Sequence, residues 1–192
     1  MIKNLRITRN RYVFAAVFAA LIAVSGFFIV PLPVGVPVVL KNLFVVLSGT
    51  VLGGFYGSFA VLIFLAAGLV GIPVFVIPGG PGVFLTPLGG YLTGYFAGSL
   101  IAGLISGLPK TSEKKITFIL ALRIVLASFS GFVLILLCGV FYMMYLNSMT
   151  PGAALTAGLL PFIIGDSIKF AVCIPLSLKL RPIAARYINA EA

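Results

Sequence analysis

Apolar positions in this chain neither alternate nor recur as a stripe. They run on in six blocks, at residues 13–30, 38–53, 57–71, 88–106, 116–146 and 159–180, separated by short segments rich in Gly, Pro or Lys and Arg. Runs of about 20 apolar residues predict membrane-spanning helices. The second and third blocks are short for a span and are parted only by Gly54-Phe55-Tyr56-Gly57. The fifth is about ten residues longer than a span needs, so it must tilt, kink at Gly131 or Gly139, or protrude. The fold class expected is an all-α polytopic membrane protein, with residues 1–192 forming one six-helix domain.

The polar positions orient these helices. Lys3, Arg6, Arg9 and Arg11 precede the first block; Lys110, Lys114 and Lys115 lie between the fourth and fifth; Lys179, Arg181 and Arg186 end the sixth. With six helices and the N-terminus inside, all ten of these cations fall on the cytoplasmic side, as short basic loops require. Both termini are therefore expected in the cytoplasm. Topology explains the net charge of +10 without a nucleic-acid partner. The basic start followed by an apolar run could suggest a cleaved leader ending near Ala23-Val24-Ser25, but the run continues through Val30, longer than a usual leader core.

Composition then removes most chemistry. The chain has no His, three acids (Glu113, Asp166, Glu191) and two Cys without metal-site spacing. Catalytic triads, zinc sites and paired-carboxylate mechanisms lack their parts. No enzyme, metal or cofactor is expected. Gly107-Leu-Pro-Lys110-Thr111 is not a phosphate loop, because Lys does not follow Gly directly and no strand precedes it.

Four charges remain inside apolar blocks: Lys41, Arg123, Asp166 and Lys169. Each costs about 2.5–3.5 kcal/mol on insertion scales, so each should face protein or water. Asp166 and Lys169 are three residues apart and share a helix face, which makes them the leading binding pair. Lys41 opens the second helix, where it either snorkels to water or meets a ligand. Arg123, two turns into its helix, is expected to snorkel or pair at an interface.

The connection at residues 71–90 is apolar yet carries several Gly and Pro. Irregular apolar backbone of this kind is tolerated where it is buried in protein or lines a cavity. It is expected to form an outer lid or re-entrant loop, with backbone donors such as Gly80 and with Phe75 and Phe84 as ring surfaces. The segment at residues 31–37 would form a second wall. Ala15, Ala19 and Ala23, with Ala16 and Ala20 beside them, let the first helix approach another closely, within the bundle or in another subunit.

These pieces resemble the BioY family, biotin-specific S components of energy-coupling factor (ECF) transporters. The resemblance is carried by Ile29-Val-Pro-Leu-Pro33, Val36-Pro37, Leu43-Phe-Val-Val-Leu-Ser-Gly49, Gly71-Ile-Pro-Val-Phe75, Gly89-Gly-Tyr-Leu-Thr-Gly94, Leu160-Pro-Phe162 and Gly165-Asp166-x-x-Lys169, in this order. It implies biotin capture from outside, in the cytoplasmic membrane of a prokaryote. A transmembrane T component and two cytoplasmic ATPases would be the partners. It also implies that the alanine ladder faces the T component. The chain departs from the family at Val39-Leu40-Lys41, at Pro87-Leu88-Gly89-Gly90, and at Val76-Ile77-Pro78 after Phe75.

For such a ligand, Asp166 would accept from a ureido N–H, and Lys169 would donate to the ureido carbonyl or hold Asp166. Phe75, Phe84 and Tyr91 would wall the thiophane ring, and Lys41 would meet the tail carboxylate. Rival readings are an S component for another small carboxylate (dethiobiotin or lipoate) and a self-sufficient proton-coupled transporter using Asp166.

Overall fold

The computed structural model describes residues 2–30, 38–75 and 79–188. The expected second wall at residues 31–37, the Val76-Ile77-Pro78 departure, Glu191 and the side chains of Lys3, Arg6 and Lys114 lie outside the described residues. The elements are α1 (Ile2–Ser25), β1 (Ile29–Val30), β2 (Val38–Val39), α2 (Lys41–Leu52), α3 (Gly54–Leu69), α4 (Leu88–Ser106), α5 (Phe118–Asn147), α6 (Pro151–Gly158) and α7 (Leu160–Ile188), with 3-10 turns at Pro81–Leu85 and Thr111–Lys114.

The first apolar block is helical only to Ser25, not to Val30. Beyond it Ile29 and Val30 pair antiparallel with Val39 and Val38. A β-branched pair followed by Pro31 favours extended backbone over continued helix. The small hairpin ties the end of α1 to the start of α2.

At 12 and 16 residues, α2 and α3 reach only about 18 and 24 Å, short of a hydrocarbon core of about 30 Å. Between them Gly53 sits at φ 84°, a left-handed conformation open to glycine, and it turns the chain sharply. The two helices then close on each other until a methyl group on Gly57 would lie 2.5 Å from the Gly49 Cα. Ten of the twelve α2 residues are buried. The helix packs on α1, α3, α4, α5 and α7, so it is enclosed by protein rather than by lipid.

Among the described residues, three helices, α4, α5 and α7, are long and apolar enough to cross a membrane. The α5 helix is unbroken at Gly131 and Gly139. These glycines instead seat neighbours: Val46 and Ala102 on the first, the Tyr91 ring on the second. The short α6, absent from the hydrophobic pattern, is started by the Thr150 hydroxyl, which accepts from the Ala153 N–H at 3.4 Å, and by Pro151 in its first turn. The α7 helix runs past residue 180, through Pro182, to Ile188. Its last carbonyls accept from Asn10 and Arg11 of α1, each at 2.9 Å.

Two expectations are corrected here. Arg181 is not a loop cation; it is 0% exposed. Its guanidinium is bidentate to Glu113 at 2.8 and 2.9 Å and donates to the carbonyls of Thr50, Ser106, Gly107 and Leu108. Lys110 and Lys115, in the α4–α5 connection, and Lys179 and Arg186, on the last turns of α7, are exposed. Nor does the alanine ladder present itself as expected. Ala15 (0% exposed) and Ala19 (5%) lie in the core and Ala23 is half-buried, because these small residues let α1 approach its own bundle. The outward face of α1 is Val13, Ala16, Val17, Ala20, Leu21 and Val24.

Candidate functional site

The candidate pair sits about two turns into α7, on its buried face. Asp166 and Lys169 are 5% and 4% exposed, and Lys169 Nζ donates to Asp166 Oδ1 at 2.5 Å. The i, i+3 spacing brings them together on one helix face, as the sequence implies. A residue absent from the sequence reading completes the group. Asn42 of α2 directs its Nδ2 at both Asp166 oxygens, 3.4 Å from each. No charge marks Asn42, so the only signal for it was its place beside Lys41 at the start of α2. From α4, Tyr95 is buried and Tyr91 half-buried in the same bundle end.

An ionised carboxylate offers about four acceptor positions, and an ammonium three donors. One short bond to Lys169 and two long contacts to Asn42 leave acceptor capacity on Asp166, while Lys169 spends one donor on it. Among the described residues, no buried side-chain nitrogen or oxygen lacks a partner. The pair is therefore satisfied within the chain itself.

Lys41 does not snorkel. It is 3% exposed, donates to the Val74 carbonyl at 2.6 Å and lies over the Phe64 ring, 5.4 Å from its centre. It thereby latches the connection after α3. That connection closes on itself, since the Gly68 carbonyl accepts from both the Gly71 and Gly80 N–H groups at 3.2 and 2.8 Å. The Gly80 donor, expected to face a ligand, is thus spent within the chain. The Phe75 ring tucks onto Gly68 and meets Phe64 edge-on at 5.4 Å. Phe84 is half-buried in the 3-10 turn, and its carbonyl accepts from the Tyr142 hydroxyl of α5.

Tyr91 donates to the Gly158 carbonyl at 2.6 Å and packs beside Phe162 at 5.9 Å, leaving its ring as the surface it can offer. Phe64 also meets the Tyr95 ring of α4 at 6.4 Å, and Asn42, next to Lys41 in the chain, links that group to Asp166. The structure thus gathers Lys41, Phe75, Tyr91, Asp166 and Lys169 around one end of the bundle. Gly80 and Phe84 stand in the loop that covers α3 and α4. Arg123 lies at the opposite end, with its Nε on the Ile105 carbonyl at 2.6 Å.

Comparison with known proteins places this geometry in context. The family model described as "BioY family" matches residues 1–186. The chain is 35% identical to the biotin transporter BioY of Thermotoga maritima over 169 residues, 87% of this chain and 93% of that one. It is 34% identical to the biotin transporter BioY of Rhodobacter capsulatus, covering 81% and 84% of the two chains. A crystal structure of the S component for biotin from an ECF-type ABC transporter superposes with a TM-score of 0.73 at 26% identity, covering 91% of this chain and 92% of that one.

Proposed function

The chain belongs to the BioY family, and from that premise we propose that it is the membrane-embedded, biotin-specific S component of an ECF transporter. The observation that carries the reading is the buried Asp166–Lys169 ion pair, with Asn42 against it, in a chain similar along most of its length to biotin transporters. Biotin's ureido group has two N–H donors and one carbonyl acceptor. Asp166 accepts from an N–H, Lys169 donates a hydrogen bond to the carbonyl, and the rings of Phe75, Phe84 and Tyr91 cover the thiophane.

Six helices cross or fill the cytoplasmic membrane of a prokaryote in this reading, with both termini inside. Its support is the gathering of the α1 start, the α4–α5 connection and the α7 end around Arg11 and Arg181. The Asp166 end then faces outward, beneath the loop latched by Lys41. A T component and two cytoplasmic ATPases drive release to the inside.

Lys41 meets the tail carboxylate by exchanging the Val74 carbonyl for a charged acceptor, which unlatches the loop. Lys41→Ala therefore weakens biotin by about tenfold and its methyl ester by much less. Competition binding of the two ligands checks this, and equal losses contradict the role.

The docking face for the T component is the outward ridge of α1 that includes Ala16 and Ala20, not the buried Ala15 and Ala19. Leucine at both positions, Ala16→Leu with Ala20→Leu, lowers transport by about tenfold or more while biotin affinity stays within about twofold, since the change blocks close helix approach only. Uptake of labelled biotin into liposomes tests the function itself. Uptake that requires the T component, the ATPases and internal ATP is expected. Uptake by the chain alone under a proton gradient would establish the rival secondary transporter.

A further inference from the structure

At the end opposite Asp166, an apolar groove of about 330 Å³ opens between the start of α3 and the end of α4. Gly54, Phe55, Gly103, Leu104, Gly107 and Leu108 form most of its walls. Phe55, Leu104 and Leu108 are all exposed, so the groove opens on the outer surface of the bundle rather than into the core. Its volume lies at the lower end of pockets that hold small ligands, about 300–1,000 Å³. By itself an apolar groove says nothing of its occupant.

The charge beside it does. Gly107, one wall of the groove, lies against the guanidinium of Arg123: a Cβ on Gly107 would stand 2.8 Å from Arg123 Nη2. Arg123 is exposed, and its Nε is committed to the Ile105 carbonyl at 2.6 Å, which fixes the plane of the fork. Its two terminal nitrogens make no hydrogen bond among the described residues, in contrast to the saturated Arg181 nearby. Lys110, three residues beyond Gly107, is exposed as well. An anchored guanidinium with free terminal donors is suited to a bidentate oxyanion, phosphate above all. An apolar slot open to lipid beside such a fork matches the two halves of one molecule.

The geometry points to a site for an anionic phospholipid of the leaflet at the basic end of the bundle, with an acyl chain in the Leu104 groove and its phosphate on Arg123. This gives Arg123 a role that biotin capture does not, and it stands apart from the ligand end. A zwitterionic lipid also carries a phosphate, but its ammonium or choline cancels the field that Arg123 and Lys110 set up. A cation near the membrane surface favours an anionic lipid by about fivefold.

The chain contains no Trp, so one introduced Trp reports alone. The full-length chain carrying Leu104→Trp is reconstituted in phosphatidylcholine vesicles containing brominated phosphatidylglycerol or brominated phosphatidylcholine. Phe141→Trp, on the exposed face of α5 far from Arg123, is the reference. Quenching at position 104 should favour the brominated phosphatidylglycerol by about fivefold, with no such preference at position 141. Arg123→Gln should abolish the preference and Arg123→Lys should retain most of it. Equal quenching by the two lipids overturns the proposal without any recourse to the Arg123 variants. So does a preference that survives Arg123→Gln, or a position 104 that neither lipid quenches, the result expected if protein fills the groove.

Discussion

Asp166→Asn binds biotin at least tenfold more weakly than the parent chain, a loss of roughly 1.4 kcal/mol or more. The substitution keeps the shape and an oxygen for the Lys169 ammonium, which sits 2.5 Å away on the same helix, so α7 keeps its local geometry. The buried Lys169 loses its countercharge, however, and the fold loses some stability. What disappears is the negative charge that accepts a ureido N–H and offsets Lys169 in a site only 5% exposed. Charge-assisted hydrogen bonds are about twice as strong as neutral ones, and burial removes the water that would compensate. Lys169→Met acts differently. It leaves a buried carboxylate with only the long Asn42 contacts, and it costs about 3–5 kcal/mol in fold stability as well as affinity. Equilibrium binding together with thermal unfolding in detergent separates the two effects. Unchanged affinity in Asp166→Asn would remove Asp166 from the site.

Arg181→Met lowers unfolding stability by about 3–5 kcal/mol, the range expected when one partner of a buried ion pair is removed. The guanidinium makes six hydrogen bonds, to Glu113 and to carbonyls at the ends of α2 and α4. Met fills much of the volume but leaves those carbonyls without a donor and Glu113 without its countercharge. Adding Glu113→Gln removes the stranded charge, so the double variant is no less stable than Arg181→Met alone and recovers part of the loss. Biotin affinity of the folded fraction changes by less than about twofold, because the fifteen residues of helix from Asp166 to Arg181 span roughly 22 Å. Thermal melts of the three variants check the first two statements, and titration of biotin checks the third. A melt of Arg181→Met matching the parent would show that the network contributes no net stability.

Features set by strong local physics were legible in the chain. Long apolar runs mark α4, α5 and α7, and i, i+3 spacing puts Asp166 and Lys169 on one helix face. Features set by packing were not. Alanines at 15, 16, 19, 20 and 23 offer two faces of one helix, and only the surrounding bundle selects which is buried. Arg181 reads as one more cation in a basic tail, and its burial depends on Glu113, distant in sequence and the lone acid among the loop cations. Lys41 could reach water or protein with equal ease; the Val74 carbonyl and Phe64 ring decide. The β1–β2 hairpin and α6 are two and eight residues per element, too short to leave a periodic signal.

The most direct test is a titration of the detergent-purified full-length chain, with no T component or ATPase present, by biotin and separately by dethiobiotin and lipoate. Saturable binding of one biotin per chain, tighter than either analogue, is the expected result. Absence of saturable biotin binding by the isolated chain, or lipoate binding as tightly as biotin, would contradict the assignment of this subunit as the biotin-capturing component.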